Sequence, residues 1–397
     1  MGGLSARAPA IVFVLNTEWY FLSHRVSLAR ALKDRGFRVV VAAPVERGGD
    51  EEIRRLGFSF VALPLRRRSL NPFSDLVFFA SLVRLYLRER PDLVHHLTIK
   101  PVIWGSLAAR LTGGPAIVDA VPGLGWVFAD AGRSRAFLRR LVLLAYRVVF
   151  AGGRTRVVFQ QEDDLAALRA AGVVTGRNAV VIRGSGVDPD RFRPAPEPAG
   201  EPAVLMAARL LWDKGVGTFV EAVRLLKGRG VRFRAVLAGM PDAGNPDAVP
   251  ESAVRAWERD GLVEWSGWHD DAPALLASAS VVVLPSAYPE GIPKILLEAA
   301  ACGRPVVTTD RPGCRDAVVA GETGLLVPPR DPAALADALA ELLADAPRRR
   351  RMGERARAFA LSEFSDASVV RQTFETYASL LADGPARRAL AAREPLD

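Results

Sequence analysis

Three charged residues recur at intervals of four in one otherwise apolar segment, and their types suit an anionic, hydroxyl-rich ligand. Residues 286–302 read SAYPEGIPKILLEAAAC, with charges only at Glu290, Lys294 and Glu298. On a helix that interval forms one stripe, and eight residues rise about 12 Å. A nucleotide sugar along the stripe would present hexose hydroxyls to Glu290 and ribose hydroxyls to Glu298. Its diphosphate would lie near Lys294 and the helix N-terminus, which attracts anions.

The same stripe also fits a solvated row of ion pairs, worth a few tenths of a kcal/mol per pair. Nearly every other residue of the predicted helix 292–301 is apolar, whereas an exposed helix carries more charge. Pro293 suits the first helical turn, where a missing N–H costs nothing. We therefore expect a largely buried helix whose charged stripe contacts a ligand.

The elements that must position this helix form two successive α/β patterns, typical of parallel, doubly wound sheets. In the first half, strands are predicted at 10–15, 37–43, 59–63, 93–97 and 116–121, and helices at 23–35, 75–90 and 103–112. After a proline-rich stretch, strands are predicted at 203–208, 233–238, 280–285 and 305–309, and helices at 216–227 and 292–301. Residues 333–381 have a helical pattern, and the tail after Asp383 is predicted to fray.

A chain of 397 residues is longer than one core usually organises, so we predict two Rossmann-like α/β domains. The predicted parts are a first domain at 1–187, a linker at 188–202, a second domain at 203–365, and a C-terminal helix and tail at 366–397 that packs back on the first domain. Because open α/β sheets bind ligands at the carboxyl ends of their strands, the two domains would face an interdomain cleft.

Charge and composition indicate the kind of partner and the cellular compartment. Residues 1–190 hold 27 basic and 16 acidic residues, a net charge of +11, whereas the rest of the chain has a net charge of −2. A basic half favours a polyanionic partner. The two cysteines cannot build a disulfide scaffold, and no apolar run suits a secretion signal or a membrane span. We expect a cytoplasmic protein.

Several motifs in the correct order resemble the family-4, group 1 glycosyltransferases. EGIPKILLE is similar to the Glu-x7-Glu signature of that family, and ARLLWDKG at 208–215 is similar to its Arg-x4-Lys-Gly element. VVLPSAYPEG, GRPVVTTDRPGCRDAV and GETGLLVPPRD resemble further blocks of the C-terminal domain. The resemblance is strong over 203–331 and looser over 11–187. It implies the GT-B architecture and a retaining transferase of the bacterial surface-polysaccharide type.

The resemblance also implies a donor site that needs neither a metal nor another cofactor. Arg209 and Lys214 would stabilise the negative charge that grows on the departing phosphate. The remaining donor contacts would come from Glu290, Gly291, Ile292, Pro293, Lys294 and Glu298. Asp188-Pro189-Asp190 has the form of a metal-binding Asp-x-Asp sequence, but it falls in the proline-rich stretch and is assigned to the linker.

Two adjacent histidines, His95 and His96, end the predicted strand 93–97. The family often has a histidine at such a strand end, contacting the transferred sugar or the reaction centre. A strand histidine is more often structural, but these are two of only four histidines in the chain. Either one is a candidate catalytic residue beside Glu290, Arg209 and Lys214.

The resemblance implies that the basic first domain, 1–187, binds the acceptor and that the second domain, 203–365, binds the nucleotide sugar. Lys100 follows the histidines, and the loop PGLGWVF, with Gly123, Gly125 and Trp126, resembles an acceptor loop of relatives that act on polyprenyl-diphosphate-linked sugars. Residues 133–150, RSRAFLRRLVLLAYRVVF, and the Arg66-Arg67-Arg68 run before an aromatic helix are basic and amphipathic. They fit an anionic membrane surface, although a core helix with a solvated arginine face has the same pattern.

Other classes of protein remain alternatives. A nucleotide-sugar epimerase of the same fold would bind the same donor without an acceptor groove. A two-lobed sugar-binding protein without enzymatic activity would usually be exported. Nucleic-acid binding is disfavoured because no zinc-finger spacing or RNA-binding signature is present. A dinucleotide-binding enzyme is disfavoured because no GxGxxG run follows the first strand.

Overall fold

The structure is a computed structural model that describes residues 7–67, 69, 71–125, 128, 132–242 and 244–391. The chain divides into two compact units, residues 1–185 with 366–397 and residues 186–365. Each unit contains one parallel sheet flanked by helices, so the predicted pair of Rossmann-like α/β domains is confirmed.

The first sheet has seven parallel strands in the order β3-β2-β1-β4-β5-β6-β7. The strands are β1 Ala10–Val14, β2 Arg38–Ala43, β3 Ser59–Ala62, β4 Leu93–Leu97, β5 Ala116–Val121, β6 Thr155–Phe159 and β7 Ala179–Val181. The order reverses between β1 and β4, the position where such sheets leave a crevice at their carboxyl edge.

Helices cover both faces of this sheet: α1 Glu18–His24, α2 Val26–Asp34, α3 Gly49–Arg55, α4 Pro72–Glu89, α5 Ile99–Leu111, α6 Gly132–Phe150 and α7 Glu162–Ala170. Because side chains alternate along a strand, β1 contributes to two cores. Phe13 packs with α2 on one face, and Val12 and Val14 pack with α4 on the other. The apolar strand sequences therefore reflect burial from both sides.

The second sheet has six parallel strands in the order β10-β9-β8-β11-β12-β13. They are β8 Ala203–Ala207, β9 Arg234–Ala238, β10 Glu264–Gly267, β11 Val281–Leu284, β12 Val306–Thr309 and β13 Gly324–Val327. Its helices are α8 Val216–Gly228, α9 Glu251–Arg259, α10 Ala272–Ala277, α11 Lys294–Ala301, α12 Pro332–Ala344 and α13 Ala346–Phe364.

The chain then returns to the first unit through α14 Asp366–Ala378 and α15 Pro385–Ala391. Tyr377 of α14 and Leu390 of α15 are buried in the same core as Phe13. The prediction that the tail frays after Asp383 is wrong for α15, because its apolar residues complete that core.

One other prediction needs correction. The single helix expected at 23–35 is two helices, α1 and α2, which meet at Arg25. The predicted linker 188–202 packs against the second unit, since Phe192 is buried in its core and Glu197 pairs with Arg349 at 2.6 Å.

Candidate functional site

Lys214 and Glu290 meet at the carboxyl edge of the second sheet because β8 and β11 are adjacent and parallel. Lys214 ends a short 3-10 turn after β8, and Gly215 then begins α8 with a φ of 83°. A Cβ on Gly215 would overlap the carbonyl oxygen of Pro285, so only glycine allows the two loops to approach this closely. The Ala287 N–H donates to the carbonyl oxygen of Asp213 at 2.9 Å, which joins the loops.

The pair itself combines a strong contact with an unused acceptor. The Lys214 ammonium donates to Glu290 Oε2, and both side chains are less than one-fifth exposed. The other carboxylate oxygen, Oε1, is buried and has no hydrogen-bond partner in the described structure. Buried carboxylate oxygens are normally satisfied, so Oε1 is available to a donor such as a sugar hydroxyl.

The loop after β12 holds Glu290 from the other side. The Glu290 N–H donates to the carbonyl oxygen of Pro312 at 3.4 Å, and a Cβ on Gly313 would overlap the Glu290 carbonyl oxygen. Cys314 follows, and its burial, reinforced by the negative charge of Glu290, raises the thiol pKa to about 12. The thiol therefore stays neutral beside the carboxylate. Cys302 and Cys314 are both free.

The predicted three-residue stripe is only partly correct. Helix α11 begins at Lys294, and Pro293 is its N-cap with extended backbone, so Glu290 lies outside the helix. A residue that precedes proline is disfavoured in the α region, which prevents the helix from starting earlier at Ile292. The 12 Å helical spacing therefore does not apply to Glu290. Lys294 and Glu298 do share a helix face, with Lys294 Nζ 3.4 Å from Glu298 Oε1. Their side chains are 21% and 13% exposed.

The expected burial of α11 is confirmed, because Leu296, Leu297 and the alanines that follow Glu298 are in the core. Gly291, Ile292 and Pro293 form the connection between Glu290 and the helix, with Ile292 buried. The loop thus places one charged pair before the helix and a second pair on its first turns.

Arg209 lies two residues beyond β8, as the sequence indicated, and pairs with Asp242 at 2.9 Å. Asp242 belongs to the loop after β9, the neighbouring strand. The Arg209 side chain is 38% exposed, so solvent reaches it. Arg209 remains a predicted phosphate contact. Its partner Asp242 follows β9, whereas Glu290 follows β11, and these two strands flank β8 on opposite sides.

His96 is fully buried in a polar network within the first unit. Its Nδ1 is 2.7 Å from Asp119, its Nε2 is 2.9 Å from the Tyr86 hydroxyl, and Ser106 also bonds to Asp119. A Cβ on Gly105 would lie 2.5 Å from the ring, so α5 accommodates it only with glycine. Burial raises the pKa of Asp119, an effect that the hydrogen bond from His96 opposes. This geometry favours a structural role for His96.

His95 points to the opposite sheet face and leaves one ring nitrogen unused. Its Nδ1 is 2.6 Å from the Tyr377 hydroxyl, while Nε2 is buried with no hydrogen-bond partner in the described structure. Burial, then the charges of Arg25 and His96, lowers the pKa of His95 well below its usual value, so the ring is neutral. Of the two candidate histidines, His95 is the one with free hydrogen-bonding capacity.

The predicted acceptor residues differ in their surroundings. Lys100 donates to the carbonyl oxygens of Arg66 at 3.1 Å and Ser69 at 2.5 Å, and also to Asp75 at 2.6 Å. It therefore anchors the loop before α4. Gly123 and Gly125 follow β5, and Gly125 has a φ of 72°. Trp126 and Arg68 lie outside the described residues.

Asp188, the first residue of the Asp-x-Asp sequence, makes local contacts. Its Oδ1 accepts from the backbone N–H groups of Asp190 at 2.9 Å and Arg191 at 3.1 Å, and Asp190 pairs with Arg193. These are local turn contacts. Across the described part of the chain, no three histidine, cysteine, aspartate or glutamate side chains are grouped as a metal site.

Sequence reasoning missed several buried polar residues at the carboxyl edge of the first sheet. Glu18 is fully buried and accepts from the Glu46 and Arg47 N–H groups, and Arg25 and Gln160 are 7% and 6% exposed. Gln160 follows β6, and Glu18 begins the helix that comes after β1, which is the only signal that the sequence offered for these two residues. Tyr377 could not be found this way, because its contact with His95 spans 282 positions.

Two Rossmann-like units, with ion-paired side chains where β8 and β11 end, define a two-domain α/β enzyme of the GT-B class. The model for glycosyl transferases group 1 matches residues 188–359, and that for glycosyl transferase 4-like proteins matches residues 10–161. The chain therefore belongs to the group 1 glycosyltransferases, as its motifs predicted.

Relatives and solved structures agree with this assignment. The N,N'-diacetylbacillosaminyl-diphospho-undecaprenol alpha-1,3-N-acetylgalactosaminyltransferase of Campylobacter jejuni is 28% identical over 89% of this chain and 96% of its own length. A GDP-mannose-dependent alpha-(1-6)-phosphatidylinositol monomannoside mannosyltransferase of Mycobacterium tuberculosis is 27% identical over 90% of this chain and 91% of its own length. HepE of Anabaena, solved in complex with UDP, has the same fold, with a TM-score of 0.76 and 20% sequence identity. The match covers 94% of this chain and 100% of HepE.

Proposed function

We propose that the protein transfers a hexose or N-acetylhexosamine, with retention of configuration, from a nucleotide-diphosphate sugar to a polyprenyl-diphosphate-linked glycan. The family assignment supports sugar transfer, and the Campylobacter relative, named for a diphospho-undecaprenol acceptor, supports the lipid-linked class. Such a product would enter bacterial surface polysaccharide. UDP-sugars are the first donors to test, since HepE was crystallised with UDP.

The observation that carries the proposal is the Lys214–Glu290 pair with its unused Oε1. In the proposed complex Oε1 accepts a hydroxyl of the donor hexose, while the Lys214 ammonium, held by Oε2, directs its other protons to the diphosphate. Glu298, oriented by Lys294, accepts the ribose hydroxyls. The base lies beyond the ribose, along α11.

The chemical step breaks the bond between the anomeric carbon and the diphosphate oxygen. Negative charge then grows on the leaving phosphate, which Lys214 and Arg209 stabilise with charge-assisted hydrogen bonds worth about 1.5–3 kcal/mol each. In the retaining mechanism that we propose, this phosphate oxygen takes the acceptor's proton on the same face. The carboxylate of Glu290 thus binds and positions the sugar without forming a bond to it.

Lipid-linked acceptors lie at a membrane surface, and α6 has a surface suited to it. Its exposed residues include the apolar row Phe137, Leu141, Leu144 and Val148 and the basic residues Arg140 and Arg147. Helix α5 packs against both α6 and α4. On α4, the Phe73 side chain is 77% exposed. We propose peripheral contact with the inner face of an anionic membrane through α6 and α4. No helix in the described ranges has the length and apolarity to span a bilayer.

The test combines ligand binding with product analysis. Purified protein is screened by thermal shift against UDP, GDP, ADP and dTDP sugars, because a ligand at 100 times its dissociation constant adds about 2.7 kcal/mol of stability. The stabilising donor is then incubated with a synthetic polyprenyl-diphosphate sugar, with and without EDTA. We expect an α-linked glycolipid in both cases.

Three outcomes would contradict the proposal. A nucleotide sugar epimerised without an acceptor would indicate an epimerase, and binding without any turnover would indicate a sugar-binding protein. Loss of activity in EDTA, restored by a divalent ion, would refute metal-independent transfer.

A further inference from the structure

Arg25, at the junction of α1 and α2, is buried without a counter-charge. Its residue surface is 7% exposed, and its Nε is buried with no hydrogen-bond partner among the described residues. With those residues the side chain makes one hydrogen bond, a 3.3 Å contact from Nη1 to the carbonyl oxygen of His24, and no ion pair. A buried donor without an acceptor is costly, and buried polar groups are normally satisfied by protein or by ordered water.

His95 provides a second buried donor. The Tyr377 hydroxyl is 2.6 Å from its Nδ1 and makes no other hydrogen bond with the part of the chain that the structure describes. Burial raises the pKa of Tyr377, so the hydroxyl keeps its proton and donates it to Nδ1. Because burial keeps the pKa of His95 well below its usual value, the ring is neutral and its single proton is assigned to Nε2. That nitrogen is buried and has no partner among the described residues.

Both donors line one small cavity. It has a volume of about 20 Å³, and Gln160 supplies a third polar side chain to its wall. The rest of the lining includes the apolar residues Val158 and Val369, and no described aspartate or glutamate contributes to it. A buried water needs roughly 10–15 Å³ and two to four polar partners. The cavity therefore suits one water molecule and is too small for a phosphate or a sugar.

We propose that this cavity binds a single structural water molecule that bridges Arg25 and His95. The water accepts from Arg25 Nε–H and from His95 Nε2–H, which uses both of its lone pairs, and it donates a proton to the amide oxygen of Gln160. These three hydrogen bonds are the usual number for a buried water. The Tyr377 hydroxyl, the imidazole, the water and the guanidinium then form one chain in which each of these buried donors has an acceptor.

The bridge joins four segments at the carboxyl edge of the first sheet. Arg25 belongs to the junction of α1 and α2, His95 belongs to β4, Gln160 follows β6, and Tyr377 belongs to α14. Buried waters with several partners are costly to remove, so this one holds the segments in a fixed arrangement beside the edge where such sheets bind ligands. It also occupies Nε2, so His95 has a structural role, as His96 does. This role is independent of the donor and the acceptor that the protein uses.

A crystal structure of the full-length protein, at a resolution that shows ordered waters, tests the site directly. We expect one water within about 3.2 Å of both Arg25 Nε and His95 Nε2, with and without a bound nucleotide sugar. A cavity without that water, or a ligand atom in hydrogen-bond contact with Nε2, would overturn the proposal.

Histidine NMR tests the assigned proton positions in solution. The chain has four histidines, so selective labelling gives four rings, and His95→Gln identifies one of them by its loss. We expect a neutral His95 ring with its proton on Nε2, and a nuclear Overhauser contact between that proton and water. A proton on Nδ1, or an Nε2 proton with no contact to water, would contradict the bridge.

Displacing the water separates its contribution from that of packing. Val369→Ile adds a methylene to the cavity wall, so the larger side chain should expel the water and leave both donors without an acceptor. Val370→Ile is the matched control, because Val370 is the next residue of α14, lies in the same core and does not line the cavity. Val369→Ile should therefore lower the melting temperature more than Val370→Ile does.

The same two substitutions in an Arg25→Met background exclude simple overpacking. Arg25→Met removes the charged donor, so less is lost with the water, and the fall in melting temperature caused by Val369→Ile should be smaller. The effect of Val370→Ile should not change. An equal fall from Val369→Ile in both backgrounds would show that packing alone is responsible, and would overturn the proposal.

Discussion

The Lys214 ammonium bonds to one oxygen of Glu290 and leaves the other oxygen buried, with no hydrogen-bond partner among the described residues, although the two residues are 76 positions apart. The contact exists because Gly215 lets the loop after β8 press against Pro285 at the end of β11. The proposed donor site in the second unit therefore contains a charge pair that is assembled without a ligand.

The first prediction concerns this pair. Glu290→Gln keeps the shape of the side chain and removes its charge, and Lys214→Gln removes the cation. Each should lower kcat by about 10- to 150-fold, which corresponds to one charged hydrogen bond of about 1.5–3 kcal/mol. The double variant should lose less than the product of the single losses, because the residues interact directly.

Steady-state kinetics with the donor found by the thermal-shift screen would measure these effects. Glu264→Gln is the control, since it removes an ion pair with Arg234 whose side chains are about half exposed. Unchanged turnover in both Glu290→Gln and Lys214→Gln would exclude them from the reaction centre.

Glu298 should act on binding more than on turnover. Its carboxylate lies on α11 with Lys294 at 3.4 Å and is 13% exposed. If it accepts the ribose hydroxyls, Glu298→Gln should raise the Kd for the free nucleotide about tenfold and change kcat less. Calorimetric titration would test this, with Glu221→Gln on the exposed face of α8 as control. Wild-type nucleotide affinity in Glu298→Gln would remove it from the donor site.

The sequence located the elements of this site well, because its strands are buried on both faces. Such strands are continuous apolar runs, and the predicted strand at 280–285 contains the observed β11 Val281–Leu284. Helix α8 was predicted to within one residue, since Gly215 marks its beginning. Local chemistry was sufficient in these cases.

Elsewhere local chemistry was ambiguous. Pro293 fits both a first helical turn and an N-cap, and the structure has the cap. In α1, aromatic residues obscure the helical period, although Thr17 accepts from the Tyr20 N–H as its N-cap. The pairing of Lys214 with Glu290, and of His95 with Tyr377, depends on strand order, which no spacing within one segment encodes.

Gly215 should be essential to the position of Lys214. In Gly215→Ala the new Cβ meets the Pro285 carbonyl oxygen, and the residue keeps a φ of 83°, so the backbone must shift. The free energy of unfolding should fall by about 2 kcal/mol or more, with a loss of transfer activity. Gly228→Ala, at the other end of α8 with open space around it, should have little effect or stabilise slightly. Urea unfolding would measure both, and equal stability of the two variants would contradict the argument.

His95 should make stability depend on pH below about 6.5. Burial, with the charges of Arg25 and His96, lowers its folded-state pKa, so the folded ring stays neutral where the unfolded ring takes up a proton. Its contribution is complete above about pH 6.5 and is lost as the pH falls, with a slope of up to about 1.4 kcal/mol per pH unit. His95→Gln should flatten this slope between pH 6.5 and 5, whereas His269→Gln, an exposed histidine, should not. Identical slopes in wild type and His95→Gln would show that the ring is charged in the folded state.

The last prediction concerns the apolar row on α6. Phe137 and Leu144 are 62% and 58% exposed, and a side chain of this size gains about 1.5–3 kcal/mol on full burial. Partial insertion of both side chains into the lipid interface should contribute to membrane affinity. The double variant Phe137→Ser with Leu144→Ser should therefore bind anionic vesicles about tenfold more weakly, or less still. Binding should also fall as salt rises, because the Debye length shortens to about 8 Å at 0.15 M.

Vesicle flotation at several salt concentrations would measure this partitioning. Val319→Ser, an exposed apolar residue of the second unit, is the matched control and should bind like wild type. Equal binding to neutral and anionic vesicles would remove the electrostatic part of the argument, because Arg140 and Arg147 gain energy only near anionic lipid. Unchanged binding of the double variant would assign the exposed row to another partner, since it would show that α6 does not enter the lipid interface.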